Sequence, residues 1–327
     1  MIYIAFALII VAAIAIHYLT SQHSGGGGFS ANGLEKGNFG KELKSLRIPT
    51  LSMYAKDLSF AASKGALDPV VGRDEEIRRV IQILSRRTKN NPILIGKAGV
   101  GKTAVVEGLA QTLLSNIWHS NLKNKRVLSL DLSGLLAGTK YRGEFEKRLQ
   151  AVTREIISAQ RSIILFIDEI HTLAEAGEAT GGIGAADILK PALARGDLQI
   201  IGATTPEEYE TIIKRDTTLA RRFQPVEIME PSRLSTIAIL EALKPRYSSY
   251  HGVKISREAI LAAVDLTNKY IKGRHQPDKA IDVMDEASSL VKLESIIAPS
   301  QKKDSPVVRA SHVAKVVRDW NKIGMKH

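Results

Sequence analysis

Residues Gly96, Lys97, Ala98, Gly99, Val100, Gly101, Lys102 and Thr103 read GKAGVGKT, the pattern G-x4-G-K-T. Each residue type has a task on a phosphate chain. The glycines let backbone N–H groups wrap around phosphate oxygens, the lysine bridges the terminal phosphates, and the threonine hydroxyl is offered to Mg²⁺. A second constellation lies at Ser162–His171, SIILFIDEIH. Asp168 is placed to hold the Mg²⁺ shell, and Glu169 beside it to orient and polarise an attacking water. Thr205 ends the stretch QIIGATT and could touch the terminal phosphate or that water. Arg221 and Arg222, in TLARRF, are the remaining cations suited to a leaving phosphate. An arginine finger of that kind, supplied in trans, requires a ring of chains.

These groups need elements to hold them. Ile93–Ile95 is a short apolar run suited to a buried strand, and Val105, Leu109 and Leu113 then recur at helical spacing. Ile163–Ile167 is continuously apolar, as a strand covered on both faces should be. The predicted fold class is therefore α/β, a P-loop core with a parallel sheet over residues 51–231 and ligand at the C-terminal strand edges. An all-helical lid is expected over 232–327. Its apolar spacing runs through Ile237, Leu240 and Leu243, then Ile260, Ala263 and Val264, then Ile281, Met284 and Ala287, and a last helix covers Ser311–Ile323.

The first 50 residues read differently. Ile2–Leu19 is almost wholly apolar, with tyrosines at its ends. As a helix it would be roughly 27 Å long, close to a bilayer core. A cleaved signal peptide is the competing reading, but Ala13-Ile14-Ala15 lies inside the apolar run and no Lys or Arg precedes it. A single transmembrane anchor is predicted over 1–20. Lys36, Lys41, Lys44 and Arg47 follow it, so the bulk of the chain is expected on the cytoplasmic side of an inner membrane. Residues 21–50 contain four consecutive glycines and read as a flexible linker. With 327 residues and 44% hydrophobic content the chain can build a sizeable core, and the absence of cysteine excludes disulfides and thiolate metal sites. The net charge of +12 admits nucleic acid, an anionic surface or acidic polypeptide as partners and selects none of them.

Longer stretches carry a resemblance. LDPVVGRDEEIRRVIQILSRRTKNNPILIGKAGVGKTAVVEGLAQ, KYRGEFEKRL, ILFIDEIHTL, LKPALARGDLQIIGATTPEEY, LARRFQPV and PDKAIDVMDEAS occur in this order. From about Leu51 to Ile323 the chain resembles the first ATPase module of the Clp family of AAA+ ring chaperones. The resemblance implies ATP with Mg²⁺ as the ligand of Gly96–Thr103, Val71 and Gly72 at the adenine, Thr205 as a γ-phosphate sensor, and Arg221 and Arg222 reaching a neighbour's site. It places Pro277, Asp278 and Lys279 on the lid, where Gln276 departs from the family's usual Leu.

It also gives a role to Lys140, Tyr141, Arg142 and Gly143, a basic, glycine-flanked loop with an aromatic tip. Such a loop lines the pore of a hexameric homo-oligomer and grips polypeptide. A second pore loop is expected around Ala174–Ala185. The family's second ATPase module and its peptidase-docking loop have no counterpart in these residues, so delivery to a peptidase is not expected. The function implied is a membrane-tethered ATPase that unfolds, threads or remodels proteins. The alternative is a nucleotide-controlled scaffold of an envelope secretion or conjugation complex. A DNA motor is a third reading, but no nucleic-acid module is recognisable and no nucleic-acid partner is expected.

Overall fold

The computed structural model describes residues 48–114, 122–137, 142–173, 185–216, 220–297 and 305–324. The predicted anchor, nearly all of the predicted linker, Lys140, Tyr141 and the second pore loop up to residue 184 lie outside them. Among the described residues no helix is long and apolar enough to cross a membrane.

Residues from Ile48 onward form one compact unit. Helix α1 (Pro49–Tyr54) begins inside the segment predicted as linker. The Glu155 carboxylate accepts from the backbone N–H of Thr50 at 2.9 Å and of Leu51 at 2.8 Å, satisfying donors at the first turn of α1. Strand β1 (Ala55–Asp57) and α2 (Leu58–Ser63) follow, then α3 (Asp74–Leu84). Asp74, Glu75 and Glu76 occupy the positive N-terminal end of α3, while Ile77, Val80, Ile81, Ile83 and Leu84 are buried.

The sheet is completed by β2 (Asn91–Ile95), β3 (Arg126–Leu130), β4 (Ile163–Ile167), β5 (Ile200–Thr204) and β6 (Phe223–Glu227), in the spatial order β1-β3-β4-β5-β2-β6. Every residue of β4 and β5 is buried, because helices α4 (Lys102–Leu114), α5 (Leu132–Leu136), α6 (Arg142–Ser158) and α7 (Ala185–Arg195) connect the parallel strands and cover them. The sheet is mostly parallel, where the apolar runs predicted a parallel one throughout. Strand β1 pairs with β3 antiparallel. Arg126 ties this edge to Asp57 through an ion pair, a contact that no local periodicity announces.

Register sets up the site. Ile95 at the end of β2 lies opposite Thr204 of β5, and Ile167 at the end of β4 lies opposite Gly202. The residues that follow β2 and β4 therefore emerge on either side of the end of β5, at one edge of the sheet. This is the crevice where open α/β sheets bind ligands.

The lid begins at Ser232, whose hydroxyl caps α8 (Arg233–His251). Helices α9 (Arg257–Tyr270), α10 (Asp278–Ile297) and α11 (Ala310–Gly324) pack around Leu240, Ile260, Val264, Val283, Met284 and Val313, all buried. The lid is not all helix. Strands β7 (Lys254–Ile255) and β8 (Val307–Val308) pair in parallel, the buried Ile255 and Val308 belonging to the same core. At two residues each, these strands are too short to read by alternation. Gln276, the departure noted above, is buried. Its amide donates to Thr267 Oγ1 at 2.8 Å and Asn268 Oδ1 at 3.1 Å, so polar partners replace the apolar contact of a leucine.

Candidate ATP site

Between β2 and α4 the P-loop folds as the glycine pattern demands. Gly99 and Gly101 have φ of 80° and 97°, a region L side chains rarely enter. A Cβ on Gly99 would also lie 2.8 Å from Asp278 Cβ of the lid. Lys102 Nζ donates to the loop's own carbonyls, Gly96 O at 2.7 Å and Lys97 O at 3.2 Å. Burial holds its ammonium below the usual lysine range, while Asp168, Glu208 and Glu169 pull the other way. A partly desolvated cation at the start of a helix gives up little hydration when it meets phosphate.

Across the crevice, Thr103 Oγ1 donates to Asp168 Oδ2 at 3.2 Å. These two oxygens, one from α4 and one from the end of β4, are hard donors of the kind Mg²⁺ prefers. Among the described residues no group of three or more His, Cys, Asp or Glu could hold a metal. The donor set therefore fits an ion that brings further oxygens with a triphosphate. Glu169 comes next. Its backbone N–H donates to Asp168 Oδ1 at 3.0 Å, and its φ of 49° is in the left-handed region, uncommon for glutamate. Strain of this kind persists where surrounding structure over-determines it.

Core and lid together line a cleft of about 450 Å³. Val71, Ala98–Thr103, Asp168, Glu169, Thr205 and Asp278 all line it, with Ile239, Leu243 and Ile281 giving an apolar wall from the lid. Asp278 N–H points at Gly99 O from 3.4 Å, so the first turn of α10 rests on the P-loop. Two other residues singled out in sequence lie elsewhere. Gly72 makes a left-handed turn outside the lining. Lys279 is buried in the lid and donates to Ile271 O at 3.2 Å. Arg221 is exposed, Arg222 is half-buried, and neither lines the cleft of its own chain. Gly143 is exposed at the start of α6, which Arg142 opens, well apart in sequence from the cleft residues.

Glu208, His171 and Arg73 were not foreseen at the site. Thr205 caps the short helix Pro206–Glu208, its hydroxyl accepting from Glu208 N–H at 3.3 Å while Glu208 Oε2 accepts from Thr205 N–H at 3.0 Å. This is a capping box, and T-x-x-E is legible in sequence. Glu208 also accepts from Thr204 Oγ1 at 3.1 Å and lies 3.1 Å from His171 Nδ1. Burial pushes its carboxyl up, but hydrogen bonds from Thr205, the charge of His171 and the Thr204 hydroxyl outweigh this and hold it below the usual range. The arrangement fixes the end of β5 beside β4.

Arg73 is the third. Buried to 6% exposure, it donates to Val100 O at 2.6 Å and Met229 O at 3.1 Å and pairs with Glu76 at 2.7 Å. It ties the P-loop to the segment after β6. Arg73→Ala should cost about 3 kcal/mol, since it leaves a half-buried carboxylate and two carbonyls without their cation. The denaturant midpoint of unfolding measures this. An unchanged midpoint would mean that water replaces the guanidinium.

Two family matches cover the same ground. The ATPase family associated with various cellular activities, AAA, matches residues 92–228, and the AAA lid domain matches 232–315. The chain is 58% identical to the ATP-dependent Clp protease ATP-binding subunit ClpC of Staphylococcus aureus over 261 residues, which is 80% of this chain and 32% of that one. The chain belongs to the Clp family of AAA+ ATPases. Chaperone protein ClpB of Rhodopseudomonas palustris is 56% identical over 251 residues, 77% of this chain and 29% of its own.

Among solved structures, the Saccharomyces cerevisiae Hsp104-ADP complex superposes with a TM-score of 0.75 at 43% identity, covering 84% of this chain and 46% of that one. The Hsp104:casein complex in its extended conformation gives 0.73 at 42%, with the same coverage. The chain spans about a third of the length of these curated Clp relatives. ATP hydrolysis is the activity of the AAA family, and the cleft holds the residue types that this reaction uses.

Proposed function

We propose that this chain is a membrane-tethered AAA+ ATPase that works as a hexameric ring and couples ATP hydrolysis to unfolding, threading or remodelling of protein substrates. The observation that carries the hydrolytic part is the approach of Thr103 to Asp168 with Glu169 alongside, in a cleft that core and lid share. Lys102 and the loop N–H groups bind the triphosphate, and Lys102 leaves the carbonyls of Gly96 and Lys97 to do so. Thr103 and Asp168 hold Mg²⁺, which when bound neutralises phosphate charge. Glu169 takes the proton of the attacking water. Thr205, fixed by its capping box, reports the γ-phosphate.

Loss of that phosphate would be felt across the contact of Asp278 with Gly99, and so in the lid. Arg221 and Arg222, which do not line their own cleft, serve the neighbouring chain. Lys140, Tyr141, Arg142 and Gly143 contact polypeptide in the pore. A ring face grips without demanding sequence, and the flanking cations favour acidic segments. The solved complex of the relative Hsp104 with casein supports a polypeptide as substrate. The apolar run Ile2–Leu19 supports an anchor in the inner membrane, with the ATPase facing the cytoplasm.

ATP turnover by the full chain, measured against protein concentration with and without an unfolded polypeptide, tests the ring. Cooperative, polypeptide-stimulated turnover is expected, and turnover independent of concentration would count against assembly. Tyr141→Ala should keep basal turnover and lose unfolding of a tagged substrate. Unfolding at the wild-type rate would remove pore threading. Resistance to alkaline extraction from membranes, lost when residues 1–20 are deleted, reads the anchor.

A further inference from the structure

At the opposite edge of the sheet from the nucleotide cleft is a second concavity, of about 590 Å³. It is built from the segments that lead into β2, β3, β4 and β5. Strands of five residues put it about 16 Å from the P-loop edge. Five cations line it: Arg86, Arg87, Lys123, Lys125 and Arg161. No carboxylate lines it, and among the described residues none of the five has an ion-pair partner. Other cations of the chain do find carboxylates, among them Arg73, Arg126, Lys190, Arg233, Arg274 and Lys315.

The partners that the five do have are neutral. Arg86 donates to Gln224 Oε1 at 3.2 Å, Arg161 to Gly196 O at 2.7 Å, and Lys125 to Gln199 Oε1. Gln199 is itself buried and held by Leu84 O at 2.9 Å, so Lys125 stands on a fixed support. The backbone around the concavity is also held in unusual conformations. Asn124, Gln160 and Arg161 line it with φ of 64°, 49° and 64°, and Lys89, in the same loop as Arg87, has φ of 52°. Four of the five non-glycine residues with positive φ among the described residues therefore gather here. Burial and the charge of Arg161 hold the Lys125 ammonium down at about 8, as expected for a cation lacking a counter-ion.

We propose that this concavity binds a phosphate group, the multiply charged anion of a soluble polyphosphate or of a lipid headgroup. A carboxylate offers one charge and two oxygens. A phosphate offers up to two charges and three or more oxygens, which suits donors converging from several segments. The triphosphate of ATP does not meet this need, because it lies at the other ends of the same strands. The site is independent of the reading of the nucleotide cleft.

The test uses the full chain with saturating ADP and Mg²⁺, so that the P-loop is filled, and inorganic tripolyphosphate as the probe. Saturable binding is expected. Arg87→Glu with Lys123→Glu should weaken it by at least about tenfold, from two exposed charges reversed. Basal ATP turnover should be unchanged, which shows that the variant folds. Lys64→Glu with Arg318→Glu changes the net charge equally at exposed positions outside the concavity and should leave binding intact.

Flotation with phosphatidylcholine vesicles, with and without phosphatidic acid, whose phosphomonoester carries up to two charges, separates the sources. Enrichment that needs phosphatidic acid and is lost in the Arg87/Lys123 variant assigns a lipid phosphate. Tripolyphosphate binding without such enrichment assigns a soluble one. No saturable binding, wild-type binding by the Arg87/Lys123 variant, or an equal loss in the control pair would each overturn the proposal.

Discussion

Glu169→Gln should abolish ATP turnover and leave ATP bound. The substitution keeps the shape and the hydrogen-bonding reach of the side chain and removes only its ability to take a proton. General-base catalysis contributes about 10²–10⁴-fold, so turnover should fall by that factor. Binding should hold because the phosphate-contacting groups lie on other elements. The glycine loop and Lys102 follow β2, and Thr103 meets Asp168, not Glu169. The position itself tolerates glutamine, since the backbone strain at φ 49° is the same for either residue.

Turnover and equilibrium binding of a fluorescent ATP analogue, measured on one preparation, decide the matter. Turnover within about threefold of wild type would mean that water is activated by another group, because a base worth 10² cannot be lost so cheaply. Lost binding together with lost turnover would mean instead that Glu169 shapes the P-loop. Asp168→Asn gives the contrast. It weakens the oxygen pair with Thr103 and should raise the Mg²⁺ concentration needed for turnover.

Much of this arrangement is legible in the sequence, for physical reasons. Buried parallel strands are continuous apolar runs, and Ile163–Ile167 is one of them. Glycines forced to positive φ cannot be hidden by substitution, so the P-loop is visible at Gly99 and Gly101. Contacts between distant segments leave no such trace. Arg73 reads as one more charge beside an acidic helix start, yet it joins the P-loop to Met229 across 156 residues of chain. His171 follows a strand end and shows no local pattern, and only pairing of β4 with β5 brings it to Thr204.

Lys279 shows the converse. Its neighbour Asp278 faces the cleft, and one residue further along a helix turns the side chain by about 100°, into the lid core. Strand β1 was missed because an edge strand of three residues carries too little alternation to detect.

The arginines pose the sharpest test of assembly. Arg221→Ala or Arg222→Ala should lower turnover by about 10³-fold or more where that residue is the finger, the range known for such groups. A cis role and a trans role predict the same loss in the single variant, so the discriminating measurement uses mixtures. One chain carries the arginine substitution and an intact P-loop. The other carries Lys102→Ala and intact arginines. Each alone is expected to be inactive.

In a ring where Arg221 or Arg222 completes the neighbour's cleft, a substituted chain placed next to a Lys102→Ala chain receives a working finger, and the mixture regains turnover. Where the arginine acts within its own chain, no mixture recovers, since every cleft still lacks one component. Recovery should peak at intermediate ratios, where mixed neighbours are most frequent, and should vanish on dilution below the assembly concentration. The exposed position of Arg221, outside its own cleft, is the reason to expect recovery. Exposure alone would suit a surface ion pair worth little. A loss of three orders of magnitude that a second chain repairs is beyond what such a pair could produce.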